Sequence, residues 1–90
     1  MKKHIVITGK VQSVGFRFWL YKAAVKKNIN GWVKNKISGE VEALLIGNGI
    51  EIDNLIKLCK NGSPSSKVTK IEVQNYQKEH FGKSFEIINT

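Results

Sequence analysis

The residues able to do chemistry gather in one stretch, Gly9-Lys10-Val11-Gln12-Ser13-Val14-Gly15-Phe16-Arg17. It lies between an alternating, β-branched run, His4-Ile5-Val6-Ile7-Thr8, and a run of helical period from about Phe18 to Lys27. Backbone N–H groups at a helix N-terminus have no intrahelical acceptor, and the helix dipole favours negative charge there. Arg17 adds a planar, permanently charged fork that matches phosphate or carboxylate oxygens. The chemistry expected of this loop is therefore the binding of an oxyanion. The plainer alternative is a strand-to-helix turn with Arg17 on the surface of the first helical turn.

The elements that must hold this loop can be traced along the chain. Residues 4–8 form the first strand, and the loop occupies 9–16. From Arg17 to Asn28 the period changes to that of a helix, with Phe16, Leu20, Ala23 and Ala24 on one face. Asn28-Ile29-Asn30-Gly31 ends it. Trp32 to Ile37 and Glu40 to Ile46 are the next two strands, joined by Ser38-Gly39 as a tight hairpin turn. Gly47-Asn48-Gly49 closes the third strand. A second helix is expected from about Glu51 to Lys60, with Ile52, Leu55, Ile56 and Cys59 inward and Asn61-Gly62 as its stop. Val68 to Tyr76 and Ser84 to Ile88 are strands. The order predicts an α+β fold, a ferredoxin-like βαββαβ sandwich with two helices on one face of a mostly antiparallel sheet. One domain is expected over residues 1–90.

Composition narrows the setting. Lys and Arg outnumber Asp and Glu by 15 to 7, a formal charge of +8, which predicts attraction to anions of some kind. The lysines are scattered, so a solvated basic surface is favoured over a nucleic-acid footprint. Cys59 is the only cysteine, which excludes an internal disulfide and a cysteine-based zinc site and suits a reducing compartment. Ile5-Val6-Ile7, after Met1-Lys2-Lys3, is too short for a signal-peptide core or a membrane span. A cytoplasmic monomer that binds no membrane is expected. Among the aromatics, Phe18, Trp19 and Trp32 are read as core or rim. His4 and His80 are read as exposed or edge residues without a partner.

A second motif gives the loop its context: Gly31-Trp32-Val33-Lys34-Asn35, followed by Ser38-Gly39. With Gly9, Val11, Gln12, Val14, Phe16 and Arg17 of the first motif, it closely resembles the acylphosphatase family. Ser13 stands where the family has a glycine. Ser63-Pro64-Ser65 and Phe85-Glu86-Ile87 are similar to the family's second half, so the resemblance covers nearly the whole chain. It implies hydrolysis of the carboxyl–phosphate bond of small acyl phosphates, giving a carboxylate and inorganic phosphate. It also implies two catalytic side chains, at Arg17 and Asn35. No cofactor and no metal are implied.

The physical case agrees. A carboxylate leaving group needs little protonation, so positioning and electrostatic stabilisation suffice. Arg17 would grip phosphoryl oxygens, joined by the backbone amides of Ser13, Val14, Gly15, Phe16 and Arg17. Loss of one such donor typically costs ~3 kcal/mol of transition-state stabilisation. Asn35 can orient a water without titrating, although it can equally support the hairpin turn. Gln12 is read as a hydrogen bonder that shapes the loop. If the family glycine serves a positive φ, Ser13 carries about 1 kcal/mol of strain.

Two other classes compete. A nucleic-acid binding module shares the outline and the positive charge, but the strand Glu40 to Ile46 has two acidic residues and no aromatic on which bases could stack. Nucleic acid is not the expected partner. A non-catalytic relative, such as a domain of a larger carbamoyl-transferring maturation factor, is disfavoured because the chain stops at Thr90 and lacks zinc-type cysteine spacing. No Walker loop is present.

Overall fold

The computed structural model describes residues 1–80 and 82–89. Its elements run β1 (Lys2–Lys10), α1 (Phe16–Lys26), β2 (Asn30–Asn35), β3 (Val41–Ile46), α2 (Gly49–Cys59), β4 (Lys67–Asn75) and β5 (Phe85–Ile88). The sheet has five strands in the order β4-β1-β3-β2-β5. All pairings are antiparallel except β2 with β5. This is the expected ferredoxin-like α+β sandwich, with β5 added at one edge.

Period-2 alternation sends Ile5 and Ile7 of β1, Val33 of β2, and Val41, Ala43 and Leu45 of β3 to the covered face of the sheet, where each is fully buried. Helix α1 meets them with Phe16, Leu20 and Ala24, spaced four apart. Helix α2 contributes Ile52, Leu55 and Cys59. Burial raises the Cys59 thiol pKa to about 12, so this sulfur is packing rather than a nucleophile. No helix among the described residues is long and apolar enough to cross a membrane.

Local signals explain the element ends. Helix α1 stops because Asn28 adopts the left-handed conformation, φ 56°. Ile29 N–H then donates to Ala24 O at 2.9 Å and Asn28 N–H to Val25 O at 3.1 Å, the paired bonds of a Schellman motif. Helix α2 begins two residues earlier than the sequence suggests. Asn48 Oδ1 accepts from the N–H groups of Ile50 and Glu51, so Asn48 caps a helix that includes Gly49. The β2–β3 turn is wider than the expected two residues. Strand β2 ends at Asn35, and Lys36 to Glu40 form the connection, closed by Lys36 N–H to Glu40 O at 2.8 Å and Gly39 N–H to Lys36 O at 3.1 Å. Ile37, expected in the strand, stands fully exposed at the tip. Gly31 (φ 131°) lets β2 approach β3, because a Cβ there would collide with the Leu44 carbonyl.

His4 departs from expectation. It lies on the open face of the sheet, and its Nε2 sits 2.6 Å from Glu42 Oε2. Its ring packs edge-on to Trp32 at 6.2 Å and stacks with Tyr76 at 6.5 Å. The β1–β3 register, which places His4 opposite Leu44, brings Glu42 within reach. His80 is half-buried in the segment of chain that connects β4 to β5.

Candidate active site

Strands β1 and β2 both run antiparallel to β3, and β5 runs parallel to β2. The carboxyl ends of β1, β2 and β5 therefore share one end of the sheet. The β1–α1 loop, Asn35 and the residues after Ile87 meet there. The β1–β4 register shifts between Thr8 and Gly9, an irregularity just ahead of the loop, and pairing continues to Lys10, where the loop begins.

A cavity of about 330 Å³ opens at this end. Its polar wall is Ser13, Gly15, Arg17, Asn35 and Asn89; its apolar wall is Val11, Phe18 and Ile87. Arg17 and Asn35, eighteen positions apart in the chain, thus line one cavity. No acidic side chain lines it among the described residues.

Arg17 is the chain's only arginine among its 15 Lys and Arg residues. Its Nη1 donates to Ile88 O at 3.2 Å and to Asn89 Oδ1 at 2.9 Å. The end of β5 thus fixes the guanidinium through neutral acceptors, which orient it without neutralising its charge. A guanidinium has five N–H donors, so further donors remain for a ligand. The signal for this contact was absent from local sequence, since it joins residues 71 and 72 positions apart.

The loop beside it is rich in donors. Among the described residues, no acceptor in the chain meets the N–H groups of Ser13, Val14, Gly15, Phe16 or Arg17. The first main-chain bond of α1 runs from Trp19 N–H to Gly15 O at 3.0 Å. Gly15 precedes the helix in the left-handed conformation, φ 74°, and offers no side-chain cap that would occupy these donors. Ser13 is also left-handed, φ 62°, so the family glycine does sit at a position of positive φ.

Asn35 ends β2. Its Oδ1 is buried and has no hydrogen-bond partner among the described residues. A buried unpaired acceptor costs about 1–3 kcal/mol, and such costs gather at functional sites. Gln12 joins the two halves: its Nε2 donates to Lys36 O at 2.7 Å and to Glu40 O at 2.9 Å. The amide therefore ties the loop to the turn immediately after Asn35. On that turn, the Ser38 hydroxyl holds the Glu40 carboxyl below its ordinary pKa.

The aromatics divide. Trp19 packs partly buried against the core. Trp32 lies on the open face with the Lys34 ammonium 5.2 Å from its ring centre. Phe18 is neither core nor covered: it is 59% exposed and forms the cavity's apolar rim. Tyr21 stacks on it at 6.3 Å.

Fold and site together define a small ferredoxin-like sandwich with a donor-lined cavity at the carboxyl ends of three strands. A model of the acylphosphatase family matches residues 3–87. Acylphosphatase from Bacillus subtilis is 42% identical over 73 residues, 81% of this chain and 80% of that protein. Acylphosphatase from Acidiphilium cryptum is 39% identical over 69 residues, covering 77% and 76% of the two chains. The crystal structure of acylphosphatase from Bacillus subtilis superposes with a TM-score of 0.92 at 38% identity, over 98% of each chain. The chain belongs to the acylphosphatase family, and it is an enzyme of that family.

Proposed function

We propose that the cavity hydrolyses acyl phosphates by attack of water at phosphorus, with Arg17 and the amides of Ser13 to Arg17 as the phosphate grip and Asn35 as the group that orients the water. The observation that carries this reading is the meeting, in one cavity, of the sole arginine, Ser13 and Gly15 from a loop whose N–H donors are unpaired, and Asn35, whose Oδ1 is unpaired among the described residues. A phosphoryl group seated on the donors presents its equatorial oxygens to Arg17 and the amides. Negative charge on these oxygens is stabilised by donors already in place, without reorganisation. Asn35 Oδ1 accepts a hydrogen bond from the water and aims the water oxygen at phosphorus.

The balance of the step is simple. The water oxygen forms a bond to phosphorus, and the bond between phosphorus and the acyl oxygen breaks. Its electron pair leaves with the carboxylate. The water proton passes to a phosphoryl oxygen, so no side chain needs to titrate. The apolar wall of Val11, Phe18 and Ile87 gives the acyl part a surface to lie against.

Hydrolysis of benzoyl phosphate in ¹⁸O-labelled water tests this route. The expected result is turnover with one labelled oxygen in inorganic phosphate and none in benzoate, with inorganic phosphate as a competitive inhibitor. Label in benzoate would show attack at the carbonyl carbon and overturn the proposed role of the phosphate grip.

A further inference from the structure

Ser63 lies outside the cavity, in the connection between α2 and β4, and is only 3% exposed. Its Oγ donates to Val14 O at 3.1 Å, across 49 positions of sequence. Ser63 is itself held in place, because its carbonyl accepts from Ser66 N at 3.0 Å and from Ser66 Oγ at 2.8 Å. A chain of bonds thus runs from Ser66 through Ser63 to the middle of the β1–α1 loop.

The bond to Val14 O has a consequence on the other side of that peptide. In a trans peptide the carbonyl and the following N–H point in opposite directions. No cis peptide occurs among the described residues. With Val14 O drawn toward Ser63, the Gly15 N–H is directed away from Ser63. Gly15 lines the cavity and Ser63 does not. The Val14–Gly15 plane needs such a latch. Glycine tolerates both signs of φ, and the space where a Cβ at Gly15 would sit is open, so neither the residue type nor a side chain at Gly15 fixes its end of this plane.

We propose that Ser63 is a positioning residue that fixes the Val14–Gly15 peptide and thereby aims the Gly15 N–H at the phosphoryl group. The inference rests on the cavity being the phosphoryl site. It adds a residue from the second half of the chain to the machinery, acting through one peptide plane and not by contact with substrate. A solely structural Ser63 would satisfy its own buried hydroxyl and affect stability alone.

Two measurements decide it. In a ¹H–¹⁵N spectrum of the wild-type protein titrated with inorganic phosphate, the Gly15 amide proton moves downfield as phosphate saturates. In Ser63→Ala, that movement shrinks and the inhibition constant for phosphate rises roughly tenfold, the size of losing one hydrogen bond to a charged group. A Ser63→Ala protein that is less stable but inhibited as well as wild type would overturn the proposal. So would a wild-type Gly15 amide that stays still while phosphate inhibits competitively, a result that needs no variant to fold. Failure of phosphate to inhibit the wild type at all would remove the phosphoryl reading itself.

Discussion

Replacing Ser13 by glycine separates backbone strain from anion binding at one residue. Ser13 has φ 62°, where an L-residue pays about 1–2 kcal/mol relative to the right-handed region. Glycine removes that strain but adds unfolded-state entropy, a loss of about 0.5–1 kcal/mol. Ser13 is exposed, and its hydroxyl makes no hydrogen bond among the described residues, so nothing else is forfeited in the free protein. Ser13→Gly should therefore gain roughly 0.5–1 kcal/mol over Ser13→Ala, which keeps the strain and lacks the hydroxyl. For a domain of this size that is a rise in Tm of about 2–8 °C. Urea denaturation of wild type and both variants measures the first effect, and the inhibition constant of inorganic phosphate measures the second. The left-handed strain argument fails if the glycine variant is no more stable than the alanine variant. A serine at this place in the cavity wall sets its hydroxyl beside the bound anion, where it either crowds or donates to it. Ser13→Gly should therefore change the phosphate inhibition constant; equal constants for wild type and Ser13→Gly would show that the hydroxyl does not touch the anion.

Two further outcomes follow from the same geometry. Gln12→Ala removes both bonds to the turn after Asn35 and should cost about 1–3 kcal/mol of stability. It should also lower kcat more than it raises KM, as steady-state kinetics would show; an unchanged kcat would contradict the coupling. Cys59 should resist thiol reagents at pH 8 except through unfolding, so its labelling rate should follow the unfolding rate across a denaturant series. Its raised folded-state pKa of about 12 also means that stability is intact below its ordinary range near 9.0 and is lost as pH climbs through that window. Rapid labelling in native buffer would show the thiol to be accessible.

Some of this architecture is legible in short stretches of sequence. Ile5 and Ile7 alternate, and Phe16, Leu20 and Ala24 recur at helical spacing, so element type and inward face follow from period alone. Asn28 marks the end of α1 by local conformational preference. The loop and Asn35 are recognisable as motifs because each is contiguous. What sequence hides is set by register and by contacts between distant segments. His4 finds Glu42 only once β1 and β3 are paired, and Arg17 is steadied by the last residue of β5 and the one after it. Ser63 reaches Val14 only because the α2–β4 connection packs beneath the loop. The start of α2 was obscured for a different reason. Gly47, Asn48 and Gly49 look like a turn, yet the Asn48 side chain captures two N–H groups and converts the last glycine into a helical residue.

The proposed division of labour, Arg17 gripping the phosphoryl group and Asn35 placing the water, is tested most directly by one paired experiment. Benzoyl phosphate hydrolysis and phosphate binding are measured for wild type, Arg17→Ala, Arg17→Lys and Asn35→Ala, each checked for folding by circular dichroism. Arg17→Ala should lose turnover on the order of a thousandfold and lose phosphate binding with it. Arg17→Lys should be severely impaired, because an ammonium cannot reproduce the planar fork. Asn35→Ala should lose turnover by at least roughly a hundredfold yet still bind phosphate. A folded Arg17→Ala enzyme that turns over like wild type would contradict the account.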